Sequence, residues 1–178
     1  MHYGEFVGAY KQISRTFMSE YKNRDNIVKS RLVQWRSQPP IVRIGRPTNV
    51  SRARELGYKA KQGVVLARIR VRKGLSKREK ARKGRKPSKS GRYFAMSKSF
   101  QAIAEERAAR KFINCEVINS YYVGEDGTYK FFEAIMADRS HPSVAGYAQY
   151  GNALRRKARA FRGLTHAGRE HRESIHRG

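Results

Sequence analysis

The sequence has little that would support a disulfide-bonded, membrane-embedded or secreted protein. A single cysteine among 178 residues excludes an internal disulfide framework and a cysteine-rich zinc site. No stretch approaches the roughly 18 consecutive apolar residues that a membrane-spanning helix needs. The first residues also lack the apolar region of a secretory signal. We therefore expect a soluble intracellular protein.

Acidic residues are also scarce, and this scarcity points to the kind of partner. Only 14 Asp and Glu stand against 40 Lys and Arg, which gives a formal net charge of +26. Repulsion among so many like charges opposes compaction unless an anionic partner neutralises it. Nucleic acid is the first candidate for that partner, and an anionic membrane surface is the second.

The positive charge is concentrated in particular segments of the chain. Residues 68–92 hold 13 basic residues and 1 acidic residue, whereas residues 93–154 hold 6 basic and 7 acidic residues. Residues 155–178 are basic again, with 8 basic and 2 acidic residues. A near-neutral part with basic extensions is typical of a protein embedded in a polyanion rather than of an enzyme with one charged cleft.

Hydrophobic periodicity predicts an α+β fold in which helices pack on a small antiparallel sheet. The strand and helix order is β-α-β-α-β-β, and the helices are expected to cover one face of the sheet. Apolar residues that alternate predict strands at 41–44, 63–73, 116–123 and 129–137. Apolar residues at helical spacing predict helices within 5–37, 52–56, 97–112 and 144–160.

The same patterns divide the chain into an N-terminal helical extension, an α+β core and a basic C-terminal extension. The predicted boundaries of these parts are 1–38, 39–142 and 143–178. Within the core, residues 73–92 have almost no large apolar side chain and are expected to form an extended basic loop. The globular part is expected to end at His141-Pro142, and residues 161–178 are expected to be irregular.

Several motifs together resemble one known family. Residues 57–63 read GYKAKQG and precede a strand in which arginines alternate with apolar residues. With them the chain resembles the archaeal and eukaryotic large-subunit ribosomal protein fifteen family of the e-type nomenclature. The resemblance is dense across residues 41–142 and rests on four further motifs: RPT at 46–48, AEERAARK at 104–111, NSYYVGEDGTYKFFE at 119–133 and RGLTHAG at 162–168.

The resemblance implies a structural, non-catalytic constituent of the large ribosomal subunit in the cytoplasm. It implies large-subunit ribosomal RNA and neighbouring ribosomal proteins as partners. We expect no cofactor, no metal, no membrane partner and no homo-oligomer. Tyr122 stands in the hairpin where the family usually carries Trp and keeps an aromatic ring there. The long basic C-terminal extension of eukaryotic members is absent, which favours an archaeal-type chain.

Basic residues in several parts of the chain are predicted to contact RNA phosphates. Arg68, Arg70 and Arg72 share one strand face, and the guanidinium geometry of arginine suits bidentate contact with phosphate or stacking on bases. The predicted RNA-binding set is Arg43, Arg46, Arg52, Arg54, Lys59, Lys61, Arg68, Arg70, Arg72, Lys73, Lys77, Arg78, Lys80, Arg82, Lys83, Arg85, Lys86, Lys89, Arg92, Arg155, Arg156, Arg159, Arg162 and Arg169.

Other interpretations of the same residues remain open at the level of sequence. The basic run 68–92 could be a solvated charged segment, although its net charge is costly to hold together in water. The aromatic residues could also form a base-stacking sheet, although about half of them are expected in the core. These aromatic residues are Trp35, Tyr121, Tyr122, Phe131 and Phe132.

Two other classes of protein compete with a ribosomal one. An RNA-acting enzyme would need a convergent acid, base or nucleophile set, and the Ser, His and Cys residues show no recognisable arrangement. Glu105 and Glu106 are neighbours on a predicted helix, so they are interpreted as surface pairing residues rather than as a carboxylate dyad. A DNA-architectural protein has a similar composition and is separated only by the motifs.

Overall fold

The computed structural model describes residues 8–79 and 91–176, within which the chain forms seven α-helices and six β-strands. The helices are α1 (Ala9–Asn23), α2 (Asn26–Ser37), α3 (Val50–Glu55), α4 (Phe100–Lys111), α5 (Pro142–Ala145), α6 (Ala148–Leu154) and α7 (His166–His176). The strands are β1 (Ile41–Ile44), β2 (Val64–Arg72), β3 (Ser76–Lys77), β4 (Tyr93–Phe94), β5 (Cys115–Glu125) and β6 (Tyr129–Asp138).

Four strands form one antiparallel sheet in the order β1-β2-β6-β5. At its centre β2 pairs with β6 along its whole length, from Val64 to Arg72. A tight turn joins β5 to β6, and in it the Asp126 carboxylate accepts hydrogen bonds from the backbone N–H groups of Thr128 and Tyr129. The predicted α+β class with a small antiparallel sheet is therefore confirmed.

Local sequence signals set the start of two helices that pack on this sheet. The Ser99 hydroxyl accepts a 3.2 Å hydrogen bond from the N–H of Ala102, which caps α4. The side chain of Asn49 accepts a 3.0 Å hydrogen bond from the N–H of Arg52 and caps α3. Both caps satisfy N–H groups that a helix leaves without internal partners in its first turn.

One face of the sheet packs against α4. Alternation along β2 turns Ala67, Ile69 and Val71 toward this helix, and all three side chains are buried. Ala104 and Ala108 of α4 belong to the same buried cluster. Their small side chains let the helix lie close to the strands.

The opposite face of the sheet is covered as well, by a layer that the sequence patterns did not predict. The Trp35 ring of α2 packs on Phe131 of β6 with centroids 5.3 Å apart. Ala53 of α3 and Tyr58 are buried in the same cluster. Because the N-terminal helices supply this layer from far away in the sequence, the alternation within the strands could not reveal it.

The chain continues to pack after His141-Pro142, so the prediction that the globular part ends there is wrong. Val144 and Tyr150 are both 1% exposed. The Tyr150 hydroxyl donates a 2.5 Å hydrogen bond to the carbonyl of Gly57. Residues 166–176 form α7 where irregular structure was expected. The periodicity did not reveal this helix because the segment is buried through small residues such as Ala167 rather than through a stripe of large apolar side chains.

The ends of the predicted basic loop pair with each other. Strands β3 and β4 form a two-stranded antiparallel ribbon in which Lys77 lies opposite Tyr93. The N–H of Arg78 also donates a 2.9 Å hydrogen bond to the carbonyl of Arg92. The middle of the predicted loop, residues 80–90, lies outside the described residues.

The three-part division at 1–38, 39–142 and 143–178 stays a prediction. Buried side chains nevertheless come from all three parts, since Trp35 and Tyr150 are as buried as the sheet itself. Among the described helices, none combines the length and the hydropathy that crossing a lipid bilayer would require.

Candidate nucleic-acid interface

Most of the predicted RNA-binding residues that the structure describes are exposed. Of the whole predicted set, fourteen residues have exposed side chains, four are half-buried and six lie outside the described residues. The exposed residues are Arg43, Arg46, Arg52, Arg54, Lys59, Lys61, Arg72, Lys77, Arg78, Arg92, Arg155, Arg156, Arg162 and Arg169. The half-buried residues are Arg68, Arg70, Lys73 and Arg159. The residues outside the described part are Lys80, Arg82, Lys83, Arg85, Lys86 and Lys89.

The first group of exposed cations lies at the C-terminal end of β2 and on the ribbon, and we call it the ribbon patch. It consists of Arg72, Lys77, Arg78 and Arg92. The Arg78 guanidinium lies 4.0 Å from the centroid of the Phe94 ring, so it packs on the ribbon rather than extending freely. The ring that Arg78 contacts lies just beyond the segment 73–92, in which few large apolar side chains were expected.

The second group is the loop patch, Lys59 and Lys61, at the other end of β2. The loop begins at Gly57 and ends at Gly63, with φ of 96° and 82°, values that residues with a Cβ rarely adopt. A Cβ at Gly63 would lie within 3 Å of Val144 and His141, so the loop is held against the C-terminal segment.

A cation–π contact fixes one lysine of the loop patch. The Lys61 ammonium lies 4.6 Å from the centroid of the Tyr147 ring. Tyr147 and Tyr150 also pack on each other with centroids 5.1 Å apart. Residues 143–150, which follow the part of the chain where the resemblance is dense, therefore help to position the loop that carries the GYKAKQG motif.

The third group is the tail patch, Arg155, Arg156, Arg162 and Arg169. The chain near it is anchored by the buried carboxylate of Glu116, which accepts hydrogen bonds from the N–H groups of Ala158 at 2.9 Å and Arg159 at 3.2 Å.

The Arg159 side chain points into the protein rather than out with the tail patch. Its guanidinium donates to the carbonyls of Val117 at 3.1 Å and Leu164 at 3.2 Å. Burial lowers the pKa of this guanidinium, and the Glu116 carboxylate partly opposes the shift. Arg159 thus has a structural role in the described fold that the sequence did not predict.

Two arginines of α3 carry intramolecular partners at the surface. Arg52 forms a 2.8 Å ion pair with Glu55, one turn along the helix. The Arg54 guanidinium lies 5.3 Å from the Tyr10 ring centroid and also donates to its hydroxyl. Exposed pairs of this kind contribute only about 0–1 kcal/mol, so both guanidinium groups remain accessible to an anion.

Arg68 and Arg70 lie on the predicted face of β2, but that face is covered by α2. The Arg68 guanidinium donates a 2.7 Å hydrogen bond to Gln38 and lies 4.6 Å from the Trp35 ring centroid. Arg70 donates to the backbone carbonyl of Arg36. The alternation is confirmed, yet two of its three arginines bind the protein's own N-terminal helix.

Arg68 also lies beside a buried carboxylate that the sequence did not single out. Glu133 is 0% exposed, and its nearer oxygen is 4.0 Å from the Arg68 guanidinium. It accepts a 3.0 Å hydrogen bond from the N–H of Thr48 and further ones from the hydroxyls of Thr48 and Tyr121. Burial raises the pKa of Glu133 although these donors favour its charged form.

Glu105 is buried as well, so its prediction as a helix surface residue is wrong. It is 1% exposed on the face of α4 that contacts the sheet. The hydroxyls of Ser120 and Thr165 donate to its two oxygens. Burial raises the pKa of this carboxyl despite both hydrogen bonds. By contrast Glu106 pairs with Lys98 at the surface, which fits the prediction for that residue.

Of the five aromatic residues considered for base stacking, four are buried in the core. Trp35, Tyr121, Phe131 and Phe132 are each less than 7% exposed. Tyr122 alone among the five is exposed, and its hydroxyl shares a 2.6 Å hydrogen bond with that of Tyr21. An open base-stacking sheet built from these five residues is therefore wrong.

The ribbon patch lies at the opposite end of the sheet from the other two patches. The loop patch and the ribbon patch flank the two ends of β2, whose nine residues span about 27 Å at roughly 3.4 Å per residue. The segment that carries the tail patch contacts Glu116 and Val117 at the start of β5, the edge strand two positions from β2. The described cations therefore do not converge on one cleft.

The described residues offer no constellation for metal chemistry. Within 8–79 and 91–176, no three His, Cys, Asp or Glu side chains are grouped so that they could hold a metal ion. The carboxylates closest to other polar groups are buried and already accept hydrogen bonds from Thr, Tyr and Ser hydroxyls. What the arrangement offers at its surface is positive charge for binding anions.

Sequence reasoning missed one surface feature, an apolar and basic cleft beside the ribbon. Leu75, Tyr93 and Met96 line it together with four basic residues. The only sequence signal was that these large apolar side chains stand almost alone beside a strongly basic run.

A comparison with known protein families identifies the chain's relatives. A family model described as Ribosomal L15 matches residues 8–178. The match includes every described residue, the three patches and the loop 57–63.

Proposed function

We propose, because the chain belongs to the Ribosomal L15 family of the e type, that it clamps separate segments of large-subunit ribosomal RNA together. The family makes the protein a structural constituent of the large ribosomal subunit in the cytoplasm, with ribosomal RNA and ribosomal proteins as partners. By clamping we mean that one rigid chain neutralises phosphates of RNA segments that would otherwise repel each other.

The observation that carries this proposal is the separation of the three patches. The loop patch and the ribbon patch lie about 27 Å apart along β2, at roughly 3.4 Å per residue. The tail patch follows contacts to β5, which lies two inter-strand steps of about 4.8 Å from β2. An enzyme cleft would gather its charges at one place, whereas this arrangement suits several RNA segments that approach from different sides.

The chemistry of the patches favours phosphate contacts over base recognition. No carboxylate of the described residues lies within 4 Å of the cationic groups of Arg72, Lys77, Arg155, Arg156 or Arg169. Each such cation that meets a phosphate releases a condensed counterion, which makes binding tighter at low salt. Contacts of this kind fix the position of RNA without reading its sequence.

The clamp is tested with variants that each remove three charges. Arg72, Lys77 and Arg92 are replaced by Ala in one variant, and Arg155, Arg156 and Arg169 in another. Binding of the full chain to deproteinised large-subunit ribosomal RNA is measured over a range of salt concentrations. Each variant is expected to reduce the log–log salt slope by about 2–3, at 0.7–0.9 per lost phosphate contact.

A matched control removes the same charge from the N-terminal helices. The exposed residues Lys11, Lys22 and Lys29 lie outside the predicted set, and replacing all three with Ala should change the slope by less than about 1. A bridging assay, in which one immobilised half of the RNA captures the other through the protein, should fail for both patch variants. Equal slopes for all three variants would contradict the proposal.

A duplex DNA of equal length tests the competing class of protein. A clamp adapted to folded ribosomal RNA should bind that RNA more tightly than the duplex at the same salt concentration. Equal affinity for both would favour a general DNA-architectural protein, because phosphate neutralisation alone does not distinguish the two.

A further inference from the structure

A cleft of about 660 Å³ lies between the ribbon, the end of β2 and α4. It combines exposed apolar side chains with positive charge. Tyr93 is 61% exposed, Leu75 59% and Met96 38%. Large apolar side chains that are exposed together in one cleft are a characteristic of binding sites.

The two aromatic rings of β4 are in different situations. Phe94 is covered by the Arg78 guanidinium. Tyr93 points to the other face of the ribbon, toward the cleft, and no ring or cation of the described residues lies over it. Because neighbouring residues of a strand point to opposite faces, the Phe94 ring is covered by the ribbon itself and the Tyr93 ring stays available to a ligand.

The cations of the cleft also divide into two kinds. Lys73 forms a 2.9 Å ion pair with Glu125, and Arg107 donates a 3.1 Å hydrogen bond to the carbonyl of Arg70. Arg72 and Lys77 have no carboxylate of the described residues within 4 Å. Lys77 lies directly opposite Tyr93 in the ribbon, so a free ammonium and a free ring share one face.

The absence of an acidic residue in its described lining distinguishes this cleft from three other clefts of the described surface. Asp138 lines the one beside β1, Glu20 lines the one beside α1, and Glu106 lines the one beside α7. The cleft at Tyr93 has four basic residues and no acidic residue in its described lining. Its occupant should therefore carry both an apolar surface and negative charge.

We propose that this cleft binds an unpaired nucleotide of single-stranded RNA, with the base stacked on Tyr93 and the flanking phosphates held by Arg72 and Lys77. The proposal rests on the proposed function and adds a named contact to the ribbon patch. Leu75 and Met96 pack against the edges of the base. Any base has a π face, so the site holds an unpaired nucleotide without reading its identity.

The experiment separates stacking from phosphate binding. The probe is an oligouridylate of about eight nucleotides, compared with an abasic ribose-phosphate chain of the same length and charge. The full chain should bind the oligouridylate about 5- to 150-fold more tightly, the range that base–aromatic stacking gives. Tyr93→Ala should abolish that preference, and Tyr93→Phe should keep it.

Two control variants locate the effect in the cleft. Tyr10→Ala removes an exposed ring from α1, outside the cleft, and should preserve the preference for the oligouridylate. Replacing Arg72 and Lys77 together with Ala should weaken binding of both probes by the same factor, because both probes carry the same phosphates. Circular dichroism of each variant checks that the fold is retained, as expected for exposed side chains.

Each outcome bears on one proposal. Equal affinity for the two probes, with the salt slopes of the patch variants as expected, would overturn the stacking site and leave the clamp standing. A preference that survives Tyr93→Ala would also overturn it. An oligoglutamate peptide that binds more tightly than the oligouridylate and depends on Tyr93 would make the occupant a protein segment. Failure to bind either RNA probe in a salt-dependent way would overturn the clamp itself.

Discussion

Three carboxylates lie in the interior of this protein, whereas the three surface patches consist of cations. Glu105, Glu116 and Glu133 are 1%, 6% and 0% exposed, although the chain has only 14 acidic residues in all. The exposed residues of the three patches are all Lys or Arg. Burying carboxylates removes negative charge from the surface, so that surface is more positive than composition alone suggests.

Each buried carboxylate also joins the sheet to a distant segment of chain. Glu133 on β6 holds Thr48 before α3, 85 residues away. Glu105 on α4 holds Thr165 before α7, 60 residues away. Glu116 on β5 holds the backbone that leads to the tail patch. The scarce acids thus position the basic segments, and the cations are left to meet an external anion.

The largest effect on the free energy of unfolding is expected from removing the interior carboxylate of Glu133. Glu133→Leu would leave the N–H and hydroxyl of Thr48 and the hydroxyl of Tyr121 without their acceptor and Arg68 without its nearest counter-charge. Loss of one partner of a buried charged pair costs about 3–5 kcal/mol. The free energy of unfolding, measured in urea, should fall by that amount.

The control for this prediction is an acidic residue at the surface. Glu55 pairs only with exposed Arg52 in the described structure, and Glu55→Leu should change stability by no more than about 1 kcal/mol. Similar losses for the two variants would show that the burial of Glu133 has no special role.

Two arginines two residues apart on β2 sharpen the comparison between interior and surface. Arg68→Ala removes the contacts to Gln38 and Trp35 and should lower the free energy of unfolding by about 1–3 kcal/mol. Arg72→Ala removes an exposed side chain and should change it by no more than about 0.5 kcal/mol. Urea unfolding of both variants measures this difference.

RNA binding should show the reverse order for the same two variants. Arg72→Ala should reduce the salt slope by about 0.7–0.9, the value for one phosphate contact. Arg68→Ala should leave the slope unchanged under conditions where the variant is folded. A reduced slope for Arg68→Ala instead would mean that its guanidinium turns outward to RNA, as its place in the alternating pattern first predicted.

The sequence predicted the sheet well because its strands carry their own signals. Alternation in β2 and the hairpin of β5 and β6 depend on neighbours only two residues apart. The sequence did not predict which elements pack on each face of a strand. Arg68 and Arg70 were correctly placed on one face, but no local pattern could show that α2 would cover it.

The buried carboxylates and the packing of the C-terminal residues were not predicted for a related reason. Glu133 stands inside the apolar run FFEAIMA, and its position there was a signal of burial that went unused. Residues 161–176 have few large apolar side chains, and they pack through Ala167, Gly168 and the hydroxyl of Thr165. Burial through small residues and hydrogen bonds leaves little trace in hydrophobic periodicity.

The last prediction concerns the pH dependence of stability, and it comes from Glu105. Burial raises its pKa above the ordinary 4.5, outweighing the Ser120 and Thr165 hydrogen bonds and the charges of Arg159 and His166. A carboxyl with a raised pKa in the folded state contributes most stability below pH 4.5, and this contribution is lost as pH rises through the folded pKa. The slope is at most about 1.4 kcal/mol per pH unit.

The measurement compares the wild-type protein with Glu105→Gln in urea at a series of pH values. Glu133 titrates in both proteins, so the difference between their free energies of unfolding isolates Glu105. That difference should fall as pH rises from about 4.5. Thr165→Val removes a donor to the charged carboxylate, so in that background the fall should extend to higher pH. A difference that grows with pH would mean that the hydrogen bonds outweigh burial, and the account of Glu105 would have to be reversed.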